Sequence, residues 1–354
     1  GFSLQPYEYI SQFLANRSIK RLLLQANKVA YATIRQLSAQ TQVVNAISPS
    51  TLFKSRKDKQ ELDHIREAMR QDGIALCEFF AWLDEMVIAQ KRISELDIAE
   101  ELANWRAKQR HFVSLSFPTI AGFNTNSAMA HYVATSQSYA WIEGDGLLLI
   151  DSGAQYQNGT TDITRVVAIN QVTKMQRRDY TLVMKAHINM ASLVYPQGIS
   201  MPLLDIMARA PLWQEHLDYN HGTGHGVGYF LNVHEGPQIL SYRAANLSAT
   251  EVWPGMVTSI EPGLYRCNQW GVRLENLVAS VPHQKASTLL EDQQFLQFEA
   301  LTLCPFDQRL LDTYLLDDRE KNWINTYHAW VERALSSQLS TRAKTWLNQA
   351  CSAL

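Results

Sequence analysis

At 354 residues the chain is long enough for one large domain or two ordinary ones. Hydrophobic residues make up 46% of it and charged residues 19%, as in a folded globular protein, and the formal net charge is -2. This charge balance gives no sign of a surface that binds nucleic acid, so a small molecule or a peptide is the expected partner.

Cysteines and apolar runs limit the cellular setting. The four cysteines form no C-x-x-C pair and no dense framework, so we predict reduced, mostly structural thiols. The sequence contains no run of 18 apolar residues and opens without a signal-peptide pattern. These features favour a soluble cytoplasmic protein that has no membrane partner.

The first part of the chain has no recognisable site. Residues 1–53 alternate short helical and strand-like pieces, and residues 47–50 (ISPS) are a plausible boundary. Residues 22–25 (LLLQ) are typical of a strand whose neighbours the preceding residues cannot supply. We therefore expect the chain to be a fragment of a longer protein.

Three helices are predicted between residues 55 and 110. Ser55 can cap the first, with Asp58 three residues on, and residues 76–83 form a second helix. Ser94 with Asp97 opens the third. All three are predicted to be covering layers.

Strand-like patterns then alternate with helices. Strands are predicted within residues 112–169, 221–237 and 257–279, where glycine-rich turns separate short apolar runs. Helices are predicted from Thr173 and from Ser200. This order predicts an α+β domain built on an antiparallel sheet, with helices on its outer face.

An amphipathic helix is predicted in the last part of the chain. After residue 298 an aromatic stripe contains Trp323, Tyr327 and Trp330. The stripe indicates docking on the main domain or on a second copy of it.

The predicted strands contain five residues that can bind metal, and these are Asp151, Asp162, His225, Glu261 and Glu275. Buried carboxylates are normally paired or bound to metal. Each aspartate alone is typical of a turn or a helix cap, but four carboxylates and an imidazole are enough to hold two cations side by side. Such donors suit Mn, Co, Fe or Zn.

A faint internal repeat supports this set. Asp151 and Asp162 flank a turn through residues 158–159, and Glu261 and Glu275 flank another turn-like segment. Two similar hairpins, each with two carboxylates, suit a metal pair held between halves related by pseudo-twofold symmetry.

Residues 221–228 (HGTGHGVG) are the densest glycine cluster in the chain. Glycine at every second position lets the backbone approach a neighbouring strand or a ligand closely. The spacing does not match a dinucleotide loop, and it contains no H-E-x-x-H motif. His221 and His225 are predicted to share one face of a strand, where one can ligate metal while the other meets substrate.

These residues favour metal-assisted hydrolysis of an amide, because a metal pair lowers the pKa of a water and polarises a carbonyl. No G-x-S-x-G elbow is present to support Ser/His/Asp catalysis. Arg273, two residues before Glu275, can orient that carboxylate or contact a substrate carbonyl, with a surface ion pair as the alternative. His187 lies on an apolar helix stripe and is predicted to be a core histidine.

Several motifs together strongly resemble the Xaa-Pro aminopeptidases (aminopeptidase P), most closely the long eukaryotic-type form within the pita-bread metallopeptidases. The motifs are residues 150–156 (IDSGAQY), 159–162 (GTTD), 221–228, 231–237 (LNVHEGP), 261–263 (EPG) and 298–303 (FEALTL). The resemblance implies a pita-bread fold, which is a curved antiparallel sheet with pseudo-twofold symmetry covered by helices. It also implies three parts, namely a remnant of a creatinase-like domain (1–53), a catalytic domain (54–297) and a C-terminal extension (298–354).

The resemblance further implies a dinuclear site, usually manganese, that hydrolyses the N-terminal Xaa-Pro bond with a metal-bridging hydroxide. Asp162 and Glu275 would bridge the ions, and Asp151 would complete one of them. His225 and Glu261 would complete the other, and Glu261 would accept the proton of the attacking water.

The substrate site implied by the resemblance contains His131, His221, His234, Tyr265 and Arg273. Three of these, His131, His234 and Arg273, would take part in catalysis together with Glu261. The expected substrate is a peptide with proline at its second position, and the expected assembly is a homodimer.

Two departures from the family pattern are visible. Ile260 stands where relatives commonly have Asp or Asn, and residues 121–130 differ from the usual glycine-containing loop ahead of His131. A prolidase, which takes only dipeptides, and a non-catalytic pita-bread binding module are the alternatives. The intact ligands favour an enzyme, and the glycine cluster with the C-terminal part favours the aminopeptidase.

Overall fold

The computed structural model of the protein describes residues 3–244, 250–283 and 294–354. The chain divides into two compact units, Gly1–Lys54 and Ser55–Leu354. All the predicted site residues lie in the second unit.

The first unit is a small αβ segment. Its elements are α1 (Tyr9–Ala15), β1 (Arg21–Leu24), α2 (Tyr31–Ile34), β2 (Gln42–Asn45) and α3 (Pro49–Ser55), with a 3-10 turn at Ala26–Lys28. The predicted strand is β1, and it pairs in parallel with β2, from Arg21 opposite Gln42 to Leu24 opposite Asn45. Its neighbour therefore comes from later residues in the chain.

Helices surround the sheets of the second unit. They are α4 (Lys59–Ile88), α5 (Glu95–Ala107), α6 (Lys174–Ala191), α7 (Asp205–Trp213), α8 (Asp318–Leu335) and α9 (Thr341–Ala350). Short 3-10 helices are at Asn124–Ala128, Met201–Leu204, Gln308–Leu310 and Ser336–Gln338. Within the described ranges, no helix is both long enough and apolar enough to span a membrane.

Capping predictions at two of these helices are confirmed. Ser94 and Asp97 form the capping box of α5, and Thr173 forms that of α6 with Gln176. Each pair satisfies two backbone N–H groups that the first helical turn leaves unbonded.

The predicted start of the first long helix is wrong. Asp58 is the N-cap of α4, since its carboxylate accepts from the backbone N–H of Glu61 at 2.8 Å. Glu61 in turn accepts from the Asp58 N–H at 2.9 Å. Ser55 instead ends α3.

The two helices predicted beyond Ser55 are one helix of 30 residues. Gly73 lies inside this helix and does not interrupt it. A Cβ at this position would lie 2.4 Å from the Leu303 carbonyl oxygen. The glycine therefore serves close packing against a neighbouring segment. Pro211 likewise lies inside α7, two residues before the helix ends at Trp213.

The strands form several short antiparallel sheets. In chain order they are β3 (Phe112–Leu115), β4 (Ile120–Phe123), β5 (Gly146–Ser152), β6 (Ala154–Tyr156), β7 (Gly159–Thr160), β8 (Ile163–Ile169), β9 (Val194–Pro196), β10 (Gly224–His225), β11 (Ile239–Leu240), β12 (Val257–Ile260), β13 (Gly263–Arg266), β14 (Trp270–Arg273), β15 (Asn276–Pro282) and β16 (Phe295–Ala300). Among the described residues, the sheets of three or more strands have the orders β3-β6-β7, β4-β5-β8 and β12-β15-β16-β9.

The predicted internal repeat is present in this topology. β5 pairs with β8, and the hairpin β6-β7 lies between them in the chain. β12 pairs with β15 in the same way, and the hairpin β13-β14 lies between them. Asp151 is opposite Thr164 in the first pair, and Ile260 is opposite Asn276 in the second.

The core of the second unit lies on the faces of β5 and β8, in which every residue is buried. Leu147 and Leu149 of β5 pack in one cluster with Tyr180 and Val183 of α6 and with Ile324 of α8. Burial of this kind contributes about 25 cal/mol per Å² of apolar surface. The core therefore fixes the strand ends from which the site residues project.

The aromatic stripe of α8 docks on this core, as predicted for the main-domain alternative. Tyr327 is buried, and Trp323 and Trp330 pack against the same cluster. All four cysteines are free thiols, three of them buried and Cys267 exposed, in agreement with the predicted reduced state.

Removing the cap of α4 should destabilise the protein. Asp58→Ala leaves the Glu61 backbone N–H without its acceptor, so we expect a loss of about 1 kcal/mol in the free energy of unfolding. Urea unfolding followed by circular dichroism measures it. Asp58→Asn keeps an accepting oxygen and is the matched control, with an expected change of a few tenths of a kcal/mol. Equal stability of Asp58→Ala and the wild type would contradict the assignment.

Candidate metal centre

The ends of the two strand pairs bring the five predicted ligands to one place. Asp151 lies near the end of β5, Asp162 just before β8, and His225 at the end of β10. Glu261 follows β12, and Glu275 lies between β14 and β15. A ligand atom from each of Asp162, His225 and Glu275 lies within 4.8 Å of the other two.

His225 presents one ring nitrogen to the carboxylates. Its Nε2 is 3.3 Å from Glu261 Oε1 and 3.5 Å from Asp162 Oδ2. Its Nδ1 is 3.0 Å from the Gly226 carbonyl oxygen, to which it donates. Burial lowers the pKa of His225 and so favours the neutral ring. This is the form in which a histidine binds metal through Nε2.

The carboxylates crowd one another in a buried space. Burial is the largest cause that raises the pKa values of Asp162 and Glu275 well above their ordinary values, and neighbouring carboxylates add to it. Burial also raises the pKa of Glu261 to about 7. A bound cation would remove this penalty, because it offsets the charge that burial disfavours.

Arg273 neutralises part of this cluster. Its Nη2 donates to Asp151 Oδ2 at 2.5 Å, and its Nη1 donates to the Tyr265 hydroxyl at 2.7 Å. The surface ion pair considered from the sequence is wrong, since Arg273 is buried. Among the described residues, no hydrogen-bond donor reaches the buried Asp151 Oδ1. That oxygen keeps its lone pairs for a cation.

A chain of hydrogen bonds leads from Arg273 to the substrate side. The Tyr265 hydroxyl, which accepts from Arg273, is 2.9 Å from His221 Nε2. His221 Nδ1 is 2.7 Å from the Gly222 carbonyl oxygen. The pKa of His221 is lowered to about 4, chiefly by burial and then by Arg273. The ring is thus neutral, with Nδ1–H donating to Gly222 and Nε2 accepting from Tyr265.

A cavity of about 560 Å³ opens beside the ligands. All five predicted ligands and Arg273 line it, together with the three histidines predicted for the substrate site, His131, His221 and His234. The ring centroids of His225 and His234 are 4.1 Å apart. Apolar side chains complete the lining, and these are Phe117, Ile120, Val233 and Ile239.

The glycine cluster forms less strand than predicted. Only Gly224 and His225 pair as a strand, so the prediction of an extended strand through His221 is wrong. At His221 the carbonyl oxygen instead accepts from Arg209 at 2.7 Å. The rings of His221 and His225 nevertheless line the same cavity.

Close approach of backbones is why glycine stands at position 224. A Cβ there would lie 1.8 Å from the Ser259 carbonyl oxygen on β12. The next N–H, that of His225, donates to Ser259 Oγ at 3.0 Å, and Ser259 Oγ donates to Glu261 Oε1 at 3.1 Å. The predicted role of glycine in strand contact is confirmed here.

Sequence reasoning missed the residues that support the ligands. Thr164 donates to Glu275 Oε2 at 2.8 Å, and Ser259 holds Glu261 in the same way. Both hydroxyls lie two residues from a ligand, a period-two signal that places them on the ligand's face of a strand.

A buried polar network behind the glycine cluster was also missed. Arg209 donates to both Asp205 oxygens and to Asp218, and Asp205 accepts from Thr223. Thr223 connects this network to the predicted ligands, because its carbonyl oxygen accepts from the Glu261 N–H at 2.7 Å. The spacing of Asp205 and Arg209 on α7 indicated a pair, but its burial depends on tertiary packing.

The two departures from the family pattern have defined packing and hydrogen bonds. Ile260, the last residue of β12, is fully buried in the core and does not line the cavity. The loop ahead of His131 is held by buried Glu95, which accepts from the Phe123 N–H, the Ala140 N–H and the Tyr132 hydroxyl, each at 2.7 Å.

Two models of known protein families match most of the chain. The family model described as metallopeptidase family M24 matches residues 63–281, and the model of the C-terminal region of peptidase M24 matches residues 294–354. The chain belongs to metallopeptidase family M24. The pita-bread fold predicted from the sequence is therefore confirmed.

Relatives within family M24 are similar over nearly the whole chain. A protein of Sclerotinia sclerotiorum named "Probable Xaa-Pro aminopeptidase P" is 40% identical over 93% of this chain and 56% of its own length. The X-prolyl aminopeptidase of Caenorhabditis elegans, described as a cytosolic enzyme with a di-nuclear active site, superposes with a TM-score of 0.91. It is 33% identical, over 99% of this chain and 58% of that one.

A prolidase of Pyrococcus furiosus shares the fold, with a TM-score of 0.64 at 22% identity over 84% of this chain and 80% of that one. This chain spans a little more than half the length of the curated relatives that it matches.

Raising the pH from 5 to 8 should destabilise the metal-free protein. Burial raises the folded-state pKa of Glu261 from 4.5 to about 7, so the folded protein holds a proton that the unfolded chain has released. The stability is complete below pH 4.5 and is lost as the pH rises through 7. The loss is on the order of 3 kcal/mol for this carboxyl.

Urea unfolding in the presence of a chelator, at pH 5, 6, 7 and 8, measures this dependence. Glu261→Gln should reduce the slope without abolishing it, because burial also raises the pKa values of Asp162 and Glu275. Glu100→Gln, on the exposed side of α5, should keep the wild-type slope. A wild-type stability that does not change over this range would contradict the prediction.

Proposed function

We propose that this chain is the catalytic part of an Xaa-Pro aminopeptidase, which removes the first residue of a peptide whose second residue is proline. One observation carries the proposal: Asp162, His225 and Glu275 converge at the wall of a cavity that three further histidines line. The Sclerotinia and Caenorhabditis relatives, which are named for this activity, support it.

The residues present fit a pair of divalent cations. The neutral His225 ring, the unbonded Asp151 oxygen and the crowded carboxylates all offer lone pairs in one buried place. The holding residues would be Asp151, Asp162, His225, Glu261 and Glu275. When bound, the ions would supply Lewis acidity and lower the pKa of a water.

Glu261 is the proposed proton acceptor. Ser259 Oγ–H orients its Oε1, and Glu261 lines the cavity in which the substrate would lie. In this role the carboxylate takes a proton from the attacking water and returns it to the departing proline nitrogen. The hydroxyl of the water thus ends on the carboxyl group of the released residue, and its proton ends on the proline nitrogen of the remaining peptide.

The histidines and Arg273 are the proposed substrate contacts. His131 and His234 line the cavity and face the same space as the ligands. His221 is placed by Tyr265, which Arg273 holds. Charge that develops on the scissile carbonyl oxygen would be stabilised by N–H donors of His131 and His234, and the apolar lining offers a surface for the proline ring.

Finer features from the sequence remain parts of this proposal. They are manganese as the metal, a cytoplasmic location, a homodimer, and the division into residues 1–53, 54–297 and 298–354. The exposed apolar side chains of Ile206, Met207 and Trp213 on α7 support a self-association surface.

Metal reconstitution and peptide cleavage test the function. We expect the protein to take up two equivalents of Mn(II), Co(II) or Zn(II) and to release arginine from Arg-Pro-Pro. Glu261→Gln should lower kcat by roughly 100-fold to 10,000-fold because the proton acceptor is lost. Glu100→Gln is the control and should keep full activity.

Three results separate the alternatives. Metal uptake far below two equivalents would overturn the dinuclear centre. Cleavage of Gly-Pro but not of Arg-Pro-Pro would indicate a prolidase. Two bound equivalents without cleavage of either peptide would indicate a binding module.

Removing one substrate-side histidine should separate chemistry from metal binding. We expect His234→Ala to lower kcat/KM by about 100-fold, as for loss of one donor to a developing oxyanion, and to keep two metal equivalents. His64→Ala is the matched control, since His64 is exposed and bonds only Tyr229 among the described side chains. Loss of metal from His234→Ala would assign the residue to the ligands instead.

A further inference from the structure

One buried residue outside the proposed site makes polar contacts directly behind it. Arg165 lies on β8, three residues after Asp162, and is 2% exposed. Within the described part of the chain, its guanidinium donates only to uncharged oxygens. A buried cation that lacks a carboxylate partner is costly to keep, so a requirement for its geometry is indicated.

The acceptors of Arg165 fall into two groups. On the metal side, Nη1 donates to the Thr164 carbonyl oxygen at 3.0 Å and to the Glu275 carbonyl oxygen at 2.5 Å. On the other side, Nη2 donates to the Cys304 carbonyl oxygen at 2.7 Å, and Nε donates to that of Pro305 at 3.1 Å. One side chain thus bonds the backbone of Thr164 and Glu275 and also that of residues 304–305 in the C-terminal region.

Phe306 supports this junction. The Arg165 Cζ atom is 4.0 Å from the centre of the Phe306 ring. The His187 ring is 5.3 Å from the same centre, and His187 Nδ1 lies 3.2 Å from the Leu274 carbonyl oxygen, to which it donates. Two consecutive carbonyl groups, those of Leu274 and Glu275, are therefore bonded by side chains that both pack on Phe306.

We propose that Arg165 is a positioning residue for the metal centre, and that the C-terminal region, through residues 304–306, is part of the support of that centre. This inference rests on the proposed function. Thr164 Oγ1 donates to the Glu275 carboxylate at 2.8 Å, so the fork of Arg165 holds both the donor residue and the acceptor residue by their backbones. A lysine in its place keeps the charge, but its single nitrogen cannot replace the three guanidinium nitrogens that bond Thr164 and Glu275 on one side and Cys304 and Pro305 on the other.

Titration calorimetry with Mn(II) on the 354-residue chain tests the inference. We expect Arg165→Lys to weaken binding of at least one ion by about 10-fold to 100-fold, as for other residues that orient metal ligands. The electron paramagnetic resonance spectrum of Arg165→Lys should lack the signal of two coupled Mn(II) ions at the Mn(II) concentration that saturates the wild type.

Arg106→Lys is the matched control. Arg106 is as deeply buried, but among the described residues its guanidinium donates only to Asp72, which is not a proposed ligand. This variant should lower the melting temperature and keep the Mn(II) affinity within about twofold of the wild type. Weakening of equal size in both variants would show a general effect of stability and would overturn the proposal.

The remaining outcomes are also decisive. Wild-type affinity in Arg165→Lys overturns the inference alone, whereas a wild-type protein that binds no Mn(II) overturns the proposed function with it. If Arg165→Lys does not fold, Phe306→Leu replaces it, because Phe306 touches no proposed ligand. We expect that variant to bind Mn(II) about 5-fold more weakly, in the range for residues that act through others, and unchanged affinity would overturn the inference.

Discussion

A cluster of buried carboxylates is the constraint on which the rest of this structure depends. Like charges in a medium of low polarity raise one another's pKa values, and the cluster is tolerated only with positive charge close by. Arg273 supplies that charge for Asp151. The remaining carboxylates and the neutral His225 leave negative charge and lone pairs that divalent cations would satisfy. The neighbouring polar residues, from Ser259 to Arg165, hold this arrangement in place.

Much of the fold was predictable because local signals agreed with it. The capping boxes at Ser94 and Thr173 and the repeat of two carboxylate-flanked hairpins are read directly from residue spacing, and both are present. The start of α4 was not, because Ser55 with Asp58 also has the spacing of a capping box. In the structure Asp58 and Glu61 form the box, and Ser55 is the last residue of α3.

Some residues of the candidate site could likewise be predicted from local patterns, and others could not. The ligands could be proposed from residue type and motif, since Asp, Glu and His at strand ends have few other uses. Arg209 and Arg165 could not, because an arginine is typically exposed and only the tertiary structure shows where these two are buried. The predicted strand through His221 failed for a related reason, since strand pairing there is limited to Gly224 and His225 and depends on where β11 lies.

The distance between the two halves of the site along the chain has a kinetic consequence. Thr164 and Glu275, which share a hydrogen bond, are 111 residues apart. Contacts of such long range close large loops, and they form late when a chain folds. The first hairpin can assemble while the second is still unfolded, but a complete ligand set exists only after both have met. Cations that bind the complete ligand set can therefore stabilise the folded state, and they do not assist the early steps of folding.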